Sequence, residues 1–128
     1  MKTFKKTFTI HADIEDVYAA FTNPRTIELW SGYPAVMEST PGTEFSMWEG
    51  DISGLLLELH PMKKIVQEWF FGEQEGKSIV TIIFFRDFGN TQLTVEHVNI
   101  PDDDFGDIAE GWREYYIGAI ESFLNPNF

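Results

Sequence analysis

The stretch GWREYYIGAIESFL, residues 111–124, decides how the rest of the chain is read. At about 100° per residue, Trp112, Tyr115, Tyr116, Ala119 and Phe123 fall on one half of a helical wheel, with Ile108 one turn earlier. Glu110, Glu114 and Glu121 fall on the other half. The spacing predicts an amphipathic helix. Its apolar side carries two phenolic hydroxyls and is spaced by Gly111, Gly118 and Ala119, which are too small to fill volume. Two readings follow. The stripe plugs a core, and its small residues let a sheet approach closely. Or it forms one wall of a cavity, because an aromatic surface with a few converging polar groups is how a small-molecule pocket is lined.

The residues before it supply the sheet. Segments 3–12, 35–40, 43–48, 52–59, 63–71, 78–88 and 91–100 carry strand patterns. Turns are expected at Pro41-Gly42, at Glu49-Gly50-Asp51, over GEQEGK (72–77) and at Gly89-Asn90. Two short helices follow the first strand. One spans ADIEDVYAAFT (12–22), with Asp13 in the N-cap position; the other spans NPRTIELW (23–30), with Asn23 as cap and Pro24 in the first turn. The order β–α–α–β–β–β–β–β–β–α, with short β-to-β links, gives one antiparallel sheet packed on the last helix. That is an α+β plan in a single domain spanning residues 1–128. Alternation assigns Leu93, Val95 and His97, Ile65, Gln67 and Trp69, and Val80, Ile82 and Phe84 to the face under the helix. Val66, Phe70, Ile79, Ile83 and Phe85 then form an apolar patch on the opposite face. Such a patch suits a dimer or partner surface unless other elements cover it.

Charge and composition remove several classes. With 21 acidic residues against 9 basic ones, the net charge is −12, the wrong sign for a nucleic-acid binder or an anionic membrane surface. Aromatic residues make up 16% of the chain, far more than a solvated chain carries. The chain has no cysteine, so disulfides and sulfur-ligated zinc are excluded. The start, MKTFKKTFTI, lacks the apolar run of a secretory signal, and nothing approaches a membrane span. The expected setting is the cytoplasm.

The candidate chemical groups are sparse. His97 is a lone histidine on an apolar face, either a hydrogen-bonded core residue or a general acid–base with Tyr115, Tyr116 or Gln67 beside it. No motif places a serine or carboxylate next to it, so a triad is not supported. His11 and His60 share no face with it, and no metal site is expected. In DDDFGDIAE (102–110) the glycine of a calcium loop would fall on Asp107 rather than Gly106, so the acids are read as a helix N-terminal cluster. No cofactor is implied and no catalytic set stands out.

Taken together, GTEFSMWEGDISGLLLELHPMKKIVQEWFF, VTIIFF, TQLTVEHVNIP and EGWREYYIGAIESF resemble the C-terminal domain of the Aha-type activators of the heat-shock-protein-90 ATPase. DVYAAFTNPRTIELWSGYPAVMES fits the same family, so the resemblance covers nearly the whole chain. It implies the helix-grip fold of the START-like superfamily, a bent antiparallel sheet around a long C-terminal helix. It also implies a hydrophobic cavity between the two. On the helix, its expected wall is Trp112, Tyr115, Tyr116, Ala119 and Phe123. Across from it stand His97 and Val95, Gln67 and Trp69, Phe84, and Trp30 from the second short helix. The leading expectation is a non-enzymatic carrier of a small hydrophobic or amphipathic ligand. A co-chaperone-like module acting on a heat-shock-protein-90 homologue comes second, and a cyclase- or hydrolase-type enzyme third. A monomer or weak homodimer is expected.

Overall fold

Strict alternation along the last strands sets the architecture. In a computed structural model of the chain, which describes residues 1–72 and 76–126, β6 (Asn90–Ile100) buries Thr91, Leu93, Val95 and His97 and leaves Gln92, Thr94 and Glu96 half-exposed. Its neighbour β5 (Ser78–Asp87) buries Ser78, Val80, Ile82 and Phe84 on the same face. β1 (Lys2–Ile10), β2 (Glu44–Met47), β3 (Ile52–His60) and β4 (Lys64–Trp69) complete one antiparallel sheet in the order β1-β6-β5-β4-β3-β2. The first and last strands pair, so the two short helices between β1 and β2 cross one face of the sheet.

Those helices are α1 (Ile14–Thr22) and α2 (Pro24–Ser31). Asn23 caps α2 as expected, its Oδ1 accepting from the Arg25 and Thr26 amides at 2.9 and 3.3 Å, and Pro24 needs no donor partner there. Asp13 holds the N-cap position of α1 with its backbone alone; its carbonyl takes the Asp16 and Val17 amides and its carboxylate makes no capping bond. The chain then ends in a continuous helical path over residues 105–124. It comprises α3 (Phe105–Glu110), a π-helical stretch (Gly111–Ile117) and α4 (Gly118–Leu124). α1 packs on β5, β6 and α4, and α2 packs on α4, so the gripped helix is covered on both sides.

Several expectations are corrected. Segment 35–40 is not a strand: bracketed by Pro34 and Pro41, it makes a single bridge, Val36 to Ser46, and the turn residues Gly42 and Thr43 take the hydrogen bonds of Leu56 instead. The β5–β6 turn is centred on Phe88-Gly89, both at positive φ, rather than on Gly89-Asn90. β3 also carries a register shift at Leu57, beyond which Leu59 pairs with Ile65 and packs against the core. Half of the turn expected at 72–77 (residues 73–75) lies outside the described residues.

The outer apolar patch is smaller than the alternation implies. Phe70 and Phe85 are exposed, and Ile79 and Ile83 are partly covered. Val66 is buried, because its cross-strand neighbours Glu58 and Thr81 take up its surface on both sides.

Candidate functional site

Trp112 divides the interior into a sealed half and an open half. On the sealed side its indole Nε1–H donates to His97 Nδ1 at 3.1 Å. That bond fixes the tautomer: Nδ1 accepts, so the ring proton sits on Nε2. Nε2 lies 2.7 Å from Ser78 Oγ and donates to it, and the serine hydroxyl passes its own proton to the Val98 carbonyl at 3.2 Å. The pair looks like a nucleophile and its base, but the protons run the other way. A base must accept from the hydroxyl, and here the imidazole gives to it. Burial also pushes His97 down to about 3, so it stays neutral through the physiological range.

Ser78 reaches His97 through strand register, since Val80 faces His97 and Ser78 is the next residue along on the same face. Spacing within one strand could not have shown this. The rest of the sealed half is a stack of rings. Trp69, Trp112 and Tyr116 lie nearly parallel, with centroids 5.0 Å apart for Trp69–Trp112 and 4.6 Å for Trp112–Tyr116. Phe21 stacks on the far side of Tyr116 at 5.4 Å. Buried Gln67 accepts the Trp69 Nε1–H at 3.0 Å, and its Nε2 has no partner among the described residues.

The open half is a cavity of about 540 Å³ between the C-terminal helix, Trp69 and the β2–β3 turn. The helix contributes Gly111, Trp112, Tyr115 and Tyr116, with Asp107 and Ile108 at its start; the sheet side contributes Trp69 and Ile52, and the turn contributes Trp48 and Asp51. Gly111 leaves part of that space unfilled. A Cβ built there meets no atom within 4 Å, whereas a Cβ on Gly118 would come within 2.7 Å of the Arg113 carbonyl. The two glycines therefore do different jobs. Gly118 permits the π turn, and its amide bonds that same carbonyl five residues back. Gly111 leaves a gap.

The turn is strained. Trp48, Glu49 and Gly50 are consecutively left-handed, with φ of 49°, 56° and 94°. Each non-glycine residue held so costs about 1–2 kcal/mol. What the geometry achieves is placement: the Trp48 ring meets Trp30 edge-on at 5.4 Å and Tyr116 at 5.8 Å, closing the cavity's outer wall. Tyr116 is deeply buried, and desolvation raises its phenol well above the ordinary value; its hydroxyl points at Met47 Sδ, 3.7 Å away.

Of the residues expected on the wall, Trp112, Tyr115, Tyr116 and Trp69 are on it, Tyr115 as an exposed residue at the mouth. Val95, Phe84, Trp30, Gln67 and His97 are instead packed in the interior, and Ala119 and Phe123 are half-buried against the core away from the cavity. The π turn accounts for the difference on the helix. It advances the face by less than 100° per residue, so Ile117 and Ile120 turn inward and Tyr115 turns out. Trp48 and Asp51 were hidden in a segment that reads as a plain hairpin. No group of three potential metal ligands occurs among the described residues, and no helix is long and apolar enough to cross a membrane.

An open six-stranded antiparallel sheet packed on a long C-terminal helix, with short helices after the first strand, defines a helix-grip protein of the START-like class. Within that class, the chain belongs to the family described as Activator of Hsp90 ATPase homolog 1-like protein, whose model matches residues 11–125. The Homo sapiens activator of 90 kDa heat shock protein ATPase homolog 1 is 32% identical over 121 residues, covering 93% of this chain and 35% of that protein. The chain thus spans about a third of the length of that curated relative. The structure of an HSP90 activator from Plasmodium falciparum superposes with a TM-score of 0.89 at 27% identity, covering 98% of this chain and 97% of that one. The Aha1 dimer from Colwellia psychrerythraea shares the fold at a TM-score of 0.84 and 14% identity, each chain covered in full.

Proposed function

We propose that this chain binds a small amphipathic ligand in the cavity between the C-terminal helix and the β2–β3 turn, acting as a non-enzymatic single domain in the cytoplasm. The observation that carries this reading is the unfilled space of about 540 Å³ beside Gly111, walled by aromatic rings. That volume lies in the range of ligand pockets. A core plug would have filled it. The hydrogen-bond directions at His97 speak against the enzymatic reading, because the imidazole has no lone pair to spare. The test is two-dimensional NMR with a panel of lipids and aromatic amphipaths, following the indole N–H signals of Trp48 and Trp112. Binding should shift both in the wild type and neither in Gly111→Leu. A panel that moves neither signal at millimolar concentration would end the proposal.

A co-chaperone role on a heat-shock-protein-90 homologue is the second reading. It is favoured by the 32% identity to the human activator over 93% of this chain. The exposed rings of Phe70 and Phe85 are the natural contact points, either for a chaperone or for a weak homodimer. Pull-down and ATPase assays with the cognate chaperone test the first partner. The absence of binding at tens of micromolar would rule it out. Sedimentation of the wild type against a Phe70→Ser/Phe85→Ser double variant tests the second.

A further inference from the structure

We infer that the cavity selects an organic cation: an ammonium head held at the mouth on an apolar body that lies along the aromatic wall. This inference rests on the cavity being a ligand site and adds the charge of the ligand. Two carboxylates stand at the opening from opposite elements, Asp51 from the β2–β3 turn and Asp107 from α3. Both side chains are exposed, and neither makes an ion pair among the described residues. Among the described residues, no lysine, arginine or histidine lines the cavity. The remaining wall is rich in indole and phenol rings, whose faces carry negative potential and attract cations.

Each alternative headgroup meets a specific obstacle. A fatty acid or a phosphate ester would bring an anion between two carboxylates with no counter-charge on the wall. A neutral body would gain from the rings but make no use of the acids. The chain's net charge of −12 adds a field that draws cations and repels anions. An alkylammonium of modest size is satisfied at both ends: its charge by Asp51, Asp107 and the ring faces, its carbon chain by Ile52, Ile108 and Trp69.

The test uses three probes with the same apolar body: phenylbutylamine, phenylbutanol and phenylvalerate. Affinities are read by NMR titration of the Trp48 and Trp112 indoles at low and high salt. The amine should bind about tenfold more tightly than the alcohol, as one cation–π contact plus one exposed ion pair would give, and the acid should be weakest. Added salt should weaken the amine selectively. The ratio of amine to alcohol affinity should fall towards one in the Asp51→Asn/Asp107→Asn double variant, and the salt series on the wild type provides the same information if that variant folds poorly. Equal binding of amine and alcohol would overturn the cation while leaving the cavity reading intact. If none of the three probes binds while other amphipaths do, the cation inference falls alone. If nothing binds at all, both fall.

Discussion

The two sides of Trp112 are built from the same kinds of residue and end in opposite states. On one side the indole meets His97, the imidazole meets Ser78, and every proton in that series has an acceptor. On the other side, one helical position away, a glycine faces empty space. Aromatic content does not separate the two, since Trp69, Trp112 and Tyr116 belong to both. What separates them is whether polar atoms find partners and whether a side chain exists to fill the gap. The closed side holds the hydrogen-bonded series, and the open side has no side chain at position 111 and a strained turn for its outer wall.

Removing the shared wall should have the largest effect. Trp112→Ala takes away the stacked ring and leaves His97 Nδ1 without its donor, and should cost about 3–5 kcal/mol in urea unfolding. A loss below about 1 kcal/mol would mean that the sealed half is not sealed. Next comes a pH dependence that belongs to the sealed half alone. Above pH 6.5, His97 is neutral in both folded and unfolded chains and contributes nothing to the slope. Below it the unfolded chain takes up a proton that the folded one resists until about pH 3, so stability falls throughout that window. The loss from this group should reach about 2 kcal/mol by pH 5. His97→Gln should be less stable at neutral pH and should lack this part of the acid slope. Parallel pH profiles for wild type and variant would show that His97 is not held neutral.

A smaller effect tests the helix that joins the halves. Gly118→Ala brings a methyl within 2.7 Å of the Arg113 carbonyl oxygen, so the π turn must relax or the helix must shift. A loss of about 1–3 kcal/mol is expected, against the roughly 1 kcal/mol gain that a glycine-to-alanine change brings in an ordinary helix. A net gain would mean that residues 111–117 pass easily into regular α-helix. Relief of strain gives a test of opposite sign at the mouth. Glu49→Gly replaces an exposed residue at φ 56° and should stabilise by up to about 1 kcal/mol.

The sealed half and the open half differed in how far they could be read from sequence. Alternation on β5 and β6 placed Val80, Ile82, Phe84, Leu93, Val95 and His97 on one face, because a two-residue period needs no knowledge of the partner strand. The Asn23-Pro24 start of α2 was legible for a similarly local reason. Ser78 beside His97 was not, since it depends on the register between two strands. Tyr115 turned outward because a π turn does not announce itself in a 3.6-residue pattern. Trp48 went unnoticed because a left-handed tryptophan runs against every local preference, so no propensity argument would put it there. The parts that escaped are those in which a non-local constraint overrides local chemistry, and one of them, Trp48, walls the cavity.

The gentlest change is the sharpest test of the comparison. Gly111 has φ −57° and ψ −44°, which any residue can adopt, so its glycine is not there for backbone freedom. Gly111→Leu should then gain about 0.5–1 kcal/mol from helix propensity, with a further contribution if the new side chain packs into the cavity. A thermal melt should show an unchanged or slightly raised midpoint, and the Trp48 and Trp112 indole signals should stop responding to every probe. That pairing of retained stability with lost binding is what a functional gap requires, since a position that selection had shaped for folding alone would favour the larger side chain. If Gly111→Leu instead unfolds the protein, the space beside Trp112 is smaller than about 540 Å³ in solution, and the open half closes like the sealed one.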